Sequence, residues 1–244
     1  MEKIVDRLNQ RFQGSHDVPA VLDYFLNHFG KTLGFASSMG AEDQVLTDFI
    51  AKINPQTKVF TLDTGRLPEE THELIDQTRG HYPEINLQSY FPRPDNVEKM
   101  VAEKGLNLFY DSVESRKLCC YYRKVEPLQR ALSGLDGWIT GLRREQSESR
   151  RQTRLVEFDE DNGILKINPL IYWTEEEVWK YIRQNQVPYN KLHDANYSSI
   201  GCAPCTRAVP KDGSVRDGRW WWENSQHKEC GLHRNNREVA LEEA

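Results

Sequence analysis

An α/β fold, with a parallel or mixed sheet flanked by helices, is predicted for this 244-residue chain. Three observations carry it. Short apolar runs of strand character alternate with helical patterns. Several of those runs end in small or polar turns that lead straight into a helix, the arrangement of an open parallel sheet. The length suffices for one large domain with a substantial core.

Residues 1 to 30 read as two helices, the second capped by Asp17, with Pro19 in its first turn and Val21, Leu22 and Phe25 on its apolar face. Leu33 to Ala36 is a strand that runs into Ser37-Ser38-Met39-Gly40-Ala41-Glu42-Asp43 and then a helix. Strand, small-residue turn and helix make an anion cradle, because free N–H groups and the helix dipole point into the turn. No Lys follows Gly40, so the nucleoside-triphosphate loop pattern is not met. The Glu42-Asp43 pair is also foreign to a triphosphate site without a metal. Lys58 to Leu62 is the second strand, and Asp63-Thr64-Gly65-Arg66 follows it. Asp63 is placed there to accept from a ribose hydroxyl or an adenine amine, and Arg66 to meet a phosphate. Asp63 capping its own turn is the equal alternative. A third strand spans Ile85 to Phe91, followed by a helix from Asp95 to Glu103.

Val113 to Leu132 is helical, with a kink expected at Pro127. On that helix Cys119 pairs with Arg123 and Cys120 with Lys124, four residues apart. Trp138 to Leu142 is a further strand, and the charged run Arg143 to Arg151 after it is either a solvated surface or a phosphate-gripping lid. Asp161-Asn162-Gly163 turns a hairpin within Leu155 to Leu170. Thr174 and Glu177 form a capping box ahead of a helix. After Pro188 the chain is loop-like through Cys202-Ala203-Pro204-Cys205. Arg216-Asp217-Gly218-Arg219-Trp220-Trp221-Trp222 then combines basic and aromatic character.

A net charge of −5 argues against general nucleic-acid binding, which needs a broad basic field. Lys and Arg nevertheless bunch at Arg116 to Lys124, Arg143 to Arg154 and Arg207 to Arg219, which suits a small anion. Met1 to Asp6 is charged and lacks the apolar core of a secretory signal. No apolar run reaches the roughly 18 residues of a membrane span. A cytoplasmic protein is expected, where paired cysteines bind metal or do redox chemistry.

The five cysteines are Cys119, Cys120, Cys202, Cys205 and Cys230, two close pairs and one apart, which suggests a metal site plus a reactive thiol. Structural zinc usually takes ligands spaced Cys-x2-4-Cys. Adjacent cysteines fit that poorly, since neighbouring side chains diverge. A cuboidal four-iron cluster offers separate irons to separate thiolates, so an iron–sulfur cluster is favoured and zinc stays open. Lys228 and His233 flank Cys230 and would raise its thiolate fraction, as a relay nucleophile requires.

Taken together, Ser38-Met39-Gly40-Ala41-Glu42-Asp43, Leu62-Asp63-Thr64-Gly65-Arg66, Cys119-Cys120 with Arg123-Lys124, Thr140-Gly141-Leu142-Arg143-Arg144, Ser199-Ile200-Gly201-Cys202-Ala203-Pro204-Cys205-Thr206 and Glu229-Cys230-Gly231-Leu232-His233 resemble the thioredoxin-dependent adenylylsulfate reductases of the APS/PAPS reductase family. The resemblance spans Ser37 to His233. It implies an adenine-nucleotide α-hydrolase-like fold, a single α/β reductase domain over residues 1–219, and a mobile C-terminal segment over 220–244. It implies a [4Fe-4S] cluster on Cys119, Cys120, Cys202 and Cys205, held at a fixed oxidation state. Cys230 would attack the sulfur of adenylylsulfate and expel AMP, and thioredoxin would then release sulfite. By matched position Lys124, Arg216 and Arg219 would hold sulfate and phosphate, the turn from Ser38 to Asp43 the sulfate, Leu62 to Arg66 the nucleoside, and Arg143 and Arg144 the phosphate. Gly141 and His233 complete the substrate set. No nucleic-acid or membrane partner is implied, and a homo-oligomer is left open.

Three rivals are weighed. The 3′-phosphorylated substrate, PAPS, is the close one, although PAPS-specific members generally lack the four ligand cysteines. An ATP-consuming adenylating sulfurtransferase is opposed by the altered loop and by Glu42-Asp43. A zinc-stapled interaction module is the non-enzyme alternative.

Overall fold

The structure, a computed structural model, describes residues 1–210 and 213–223. One six-stranded sheet organises it, in the order β3-β2-β1-β4-β6-β5. The strands are β1 Leu33–Ser37, β2 Lys58–Leu62, β3 Asn86–Tyr90, β4 Gly137–Ile139, β5 Val156–Asp159 and β6 Ile164–Ile167. All neighbours pair in parallel except β5 with β6, the hairpin about Asp161-Asn162-Gly163. The mixed α/β sheet expected from the sequence is therefore present. Strand order reverses direction between β1 and β4, which opens a crevice at the strand C-terminal ends.

The helices are α1 Glu2–Arg11, α2 Val18–Phe29, α3 Ala41–Ile53, α4 Glu69–His81, α5 Pro94–Lys104, α6 Val113–Cys120, α7 Glu126–Leu132 and α8 Glu175–Asn185. Local chemistry sets several of their ends. Asp17 Oδ1 accepts from the Ala20 N–H, and Thr174 and Glu177 exchange both capping-box bonds. Helices cover both faces of the sheet. Consecutive strand residues separate accordingly: Val59 and Ile139 join the large core with α2, α3 and α8, whereas Phe60 and Trp138 join a second cluster with Leu128 and Leu132 of α7.

Two local expectations are corrected. The irregularity in the long helix falls before Pro127, as a π-helical turn over Tyr121–Val125, and Pro127 opens α7. A proline cannot donate to the carbonyl four residues back and its ring crowds that group, so widening the preceding turn relieves both problems. The strand expected over Trp138 to Leu142 is only Gly137–Ile139, after which the Thr140 hydroxyl bonds Asn168. Trp220 is buried, and Glu223 pairs with buried Arg116. Cys230, His233 and the rest of the expected C-terminal segment lie outside the described residues. Among the described residues, no helix is long and apolar enough to cross a membrane.

A buried carboxylate fastens three helices. Asp48 of α3 accepts from Tyr82 Oη at 3.0 Å, from Tyr181 Oη of α8 at 2.6 Å and from Lys52 Nζ at 2.6 Å. Burial, then the Asp48 charge, pushes the Tyr82 hydroxyl up, and burial with the Asp48 hydrogen bond does the same to Tyr181. Asp48→Ala would strand two phenol hydroxyls at a helix junction. The expected loss is about 2–4 kcal/mol by urea denaturation, with Asp48→Asn intermediate.

Candidate active site

A cavity of about 830 Å³ opens where β1, β2 and β4 end. That volume lies within the range of small-molecule pockets, about 300–1,000 Å³. Phe60, Leu128 and Trp138 form its apolar side. Of the residues expected to hold substrate, Ser38, Gly40, Ala41, Glu42, Asp43, Leu62, Lys124, Gly141, Arg143, Arg216 and Arg219 line it.

Others expected there are engaged elsewhere. Asp63 caps its own turn, with Oδ1 accepting from the Gly65 N–H at 2.8 Å and Oδ2 lying 3.0 Å from His72 Nε2. Arg66 donates to the Leu106 carbonyl and to Asn107 Oδ1, and lies over the Phe109 ring. Arg144 donates to the Thr153 carbonyl and stacks on Tyr172. Met39 is buried in the main core, in left-handed conformation at φ 61°. Gly65 turns the chain at φ 70° beneath the Arg123 guanidinium.

The β1–α3 turn is tightly bound. The Ser38 backbone N–H and hydroxyl both donate to Asp43 Oδ2 at 2.6 Å, and the Gly141 backbone donates to the same carboxylate. Asp43 thus ties the end of β1 to the end of β4. Beside it, Glu42 Oε1 accepts from Arg143 Nε at 2.8 Å and from Gln146 Nε2 at 2.9 Å. Half of the charged loop after β4 is therefore anchored: Arg143 is buried and, with Gln146 and Arg150, lines the cavity, whereas Arg151 is exposed on Glu148.

Another part of the lining forms a wall that carries cations. Gly201 makes room for the Arg219 guanidinium, because a Cβ there would fall 2.6 Å from Arg219 Cζ. Arg219 is 6% exposed, and its Nε finds no hydrogen-bond partner among the described residues. Its guanidinium and that of Arg116 each lie 4.6 Å from the Trp220 ring centroid.

Behind that wall the cysteines gather. Cys205 is buried with Phe109 and Trp220, and Cys119 and Cys202 pack against them. Cys119, Cys120, Cys202 and Cys205 are all free thiols. The loop after β2 stitches the two pairs together. Thr64 Oγ1 lies 3.2 Å from Cys202 Sγ, the Arg66 carbonyl accepts from the Ala203 N–H at 2.8 Å, and the Thr64 carbonyl accepts from Arg123 Nη1 at 2.6 Å. Arg123 also hydrogen-bonds Cys119, the pairing expected from their spacing. Burial first, then the neighbouring Cys202, pushes the Cys205 thiol up to about 12, with Lys124 and Arg219 opposing.

Among the described residues, no group of three or more His, Cys, Asp or Glu closes tightly enough to hold a single metal ion. Four thiols at one end of the sheet would, if they took a metal, favour zinc or an iron–sulfur group. The buried Trp220 Nε1–H, packed with Cys205, has no partner among the described residues, and a sulfur acceptor would satisfy it.

Trp179 and His193 line the cavity without having been singled out from the sequence. His193 is kept from protonating chiefly by burial. It sits in a 3-10 turn, Lys191–Ala195, inside a stretch with loop composition, and contacts with Trp179 of α8 and, through Asn190 and Lys191, with Thr71 and Glu73 of α4 bring it to the crevice.

Asp43 gives this site a pH signature. Burial foremost raises its carboxyl to about 6. Its folded pKa exceeds the unfolded one, so its stabilising contribution is present below the unfolded value and lost as pH rises through about 6. Relative to Asp43→Asn, the unsubstituted protein should lose up to about 3 kcal/mol between pH 4 and pH 7 in denaturant titrations. A pH-independent difference would contradict the burial of this charge.

Comparison with known proteins places this geometry. The phosphoadenosine phosphosulfate reductase domain model matches residues 32–208. An adenosine 5'-phosphosulfate reductase of Allochromatium vinosum is 54% identical over 82% of this chain and 78% of its own length. One from Neisseria meningitidis serogroup B is 49% identical over 82% of this chain and 81% of its own. Among solved structures, a phosphoadenylyl-sulfate (PAPS) reductase from Candida auris superposes with a TM-score of 0.73 at 29% identity, over 86% of this chain and 98% of that one.

Proposed function

The chain belongs to the phosphoadenosine phosphosulfate reductase family, and on that premise we propose that it reduces adenylylsulfate to sulfite and AMP in sulfate assimilation, in the cytoplasm, with thioredoxin as reductant. The observation that carries this reading is the position of Lys124. It lines the cavity, and its charge reaches the buried Cys205 thiol, so the anion pocket and the sulfur cluster share a wall. The names of the relatives support adenylylsulfate over its 3′-phosphorylated form, since those at 49–54% identity are adenosine 5'-phosphosulfate reductases and the PAPS reductase is at 29%.

In this reading the adenosine lies against the apolar side of the cavity between Leu62 and Gly141. Lys124, Arg216 and Arg219 hold the phosphosulfate. The Ser38 donors already serve Asp43, so the sulfo group is assigned to the cationic wall and not to the β1–α3 turn. The Cys230 thiolate attacks sulfur, the S–O bond to AMP breaks, and AMP leaves with the bonding pair. Cations placed around the departing phosphate lower that barrier. A thioredoxin thiolate then attacks Cys230 Sγ and releases sulfite, and its second thiol resolves the mixed disulfide. Cys230 returns as thiol and thioredoxin departs as disulfide. Cys119, Cys120, Cys202 and Cys205 would hold a [4Fe-4S] cluster. Bound there, it would supply a fixed charge that tunes the wall electrostatically without changing oxidation state.

Iron and sulfide analysis of anaerobically purified protein, with turnover measured on both sulfonucleotides, tests the proposal. Four irons per chain are expected from the cluster stoichiometry, together with preference for adenylylsulfate. Colourless protein, or equal turnover of the 3′-phosphorylated substrate, overturns the assignment. Cys230→Ser should keep its iron, lose turnover and trap no sulfite adduct by mass spectrometry. Lys124→Ala should keep iron near normal and lose about 10²–10³ in kcat; loss of iron instead would assign the lysine to the cluster's support.

A further inference from the structure

The turn between β1 and α3 is built as phosphate-binding turns are, from a strand end, small residues and a helix N-terminus. Here its donors are spent on the chain itself. Asp43, in the first turn of α3, folds back so that Oδ2 takes both Ser38 donors at 2.6 Å, while the Gly141 backbone serves the same carboxylate. The fit depends on glycine, because a Cβ at Gly141 would overlap Asp43 Oδ1. Glu42 stands beside it, paired with Arg143. At this turn the cavity thus presents two carboxylates.

We propose that Asp43 is a built-in anion that fills the β1–α3 cradle and keeps the phosphate chain of nucleoside triphosphates out of the adenylyl cavity. The inference rests on the proposed adenylylsulfate site and sharpens its specificity. An adenosine pocket with a free strand-to-helix cradle would accept ATP, whose polyphosphate satisfies such a turn. With the cradle filled by a buried carboxylate, a polyphosphate meets like charge and finds the Ser38 and Gly141 donors already used. A nucleoside with a single short anionic arm meets no such obstacle, because Lys124, Arg216 and Arg219 line the same cavity and can receive that arm beside the buried thiols.

Calorimetric titration of the full chain with AMP and with ATP tests this, using Asp43→Asn, which keeps the shape and removes the charge, and Asp43→Ser, which also opens space. Unsubstituted protein should bind AMP more tightly than ATP. In both folded variants the ATP-to-AMP affinity ratio should rise at least about tenfold. An unchanged ratio in both, or ATP binding as tight as AMP to the unsubstituted protein, overturns the role of Asp43 while leaving the adenylyl site standing. Failure of the unsubstituted protein to bind AMP overturns the site itself, and this inference with it.

Discussion

The buried Arg123 guanidinium is the constraint on which the active end of the molecule depends. A guanidinium taken out of water must find acceptors, and it finds the Thr64 carbonyl and Cys119. Those two contacts lock the loop after β2 against the helix that carries Cys119 and Cys120. The same loop holds the second pair, through Thr64 to Cys202 and through the Arg66 carbonyl to Ala203. Residues distant in sequence are thereby brought to one end of the parallel sheet, and the loop that gathers them also reaches the cavity, at Leu67. The π-helical turn over Tyr121–Val125 belongs to this arrangement. It spans Arg123 and Lys124, of which one faces the β2 loop and the other the cavity.

Burying donors without protein acceptors is costly, and the site does so repeatedly. Arg219 Nε and Trp220 Nε1 are both buried without a hydrogen-bond partner among the described residues. Native proteins keep such groups where a ligand completes them. The packing that holds them is correspondingly firm. Trp220 lies against the guanidiniums of Arg116 and Arg219, and Arg116 is pinned by a bidentate pair with Glu223, at 2.5 and 2.9 Å. Arg219 is therefore aimed before any ligand arrives.

Features set by neighbours in sequence were legible there. The hairpin at Asp161-Asn162-Gly163, the Asp17 cap, the Thr174–Glu177 box and the alternation of strands and helices all follow from local chemistry, and the structure contains each. The cavity-lining cations Lys124, Arg143, Arg216 and Arg219 were legible through their motifs. Side-chain direction was not. Asp63, Arg66 and Arg144 stand in the right motifs, yet each serves its own loop or a neighbouring one, a choice decided by distant residues such as Asn107 and Tyr172. His193 was invisible for the converse reason: its loop has ordinary composition, and distant contacts with α8 and α4 bring it to the crevice.

Acidic and basic side chains share the lining of the cavity, and how each is paired decides what charge a ligand meets. Glu42 and Asp43 hold the β1–α3 end, with Glu42 neutralised by Arg143 and Asp43 by backbone donors and the Ser38 hydroxyl. Lys124, Arg216 and Arg219 hold the end nearest the thiols. Low-dielectric walls strengthen the field of each charge among them. In the proposed reading, the cations beside the buried thiols draw an anionic arm toward the sulfurs. Orientation of this kind lowers a reaction barrier by removing rotational freedom before the reacting atoms meet. A uniformly basic pocket would bind the same anion but would leave its direction unspecified.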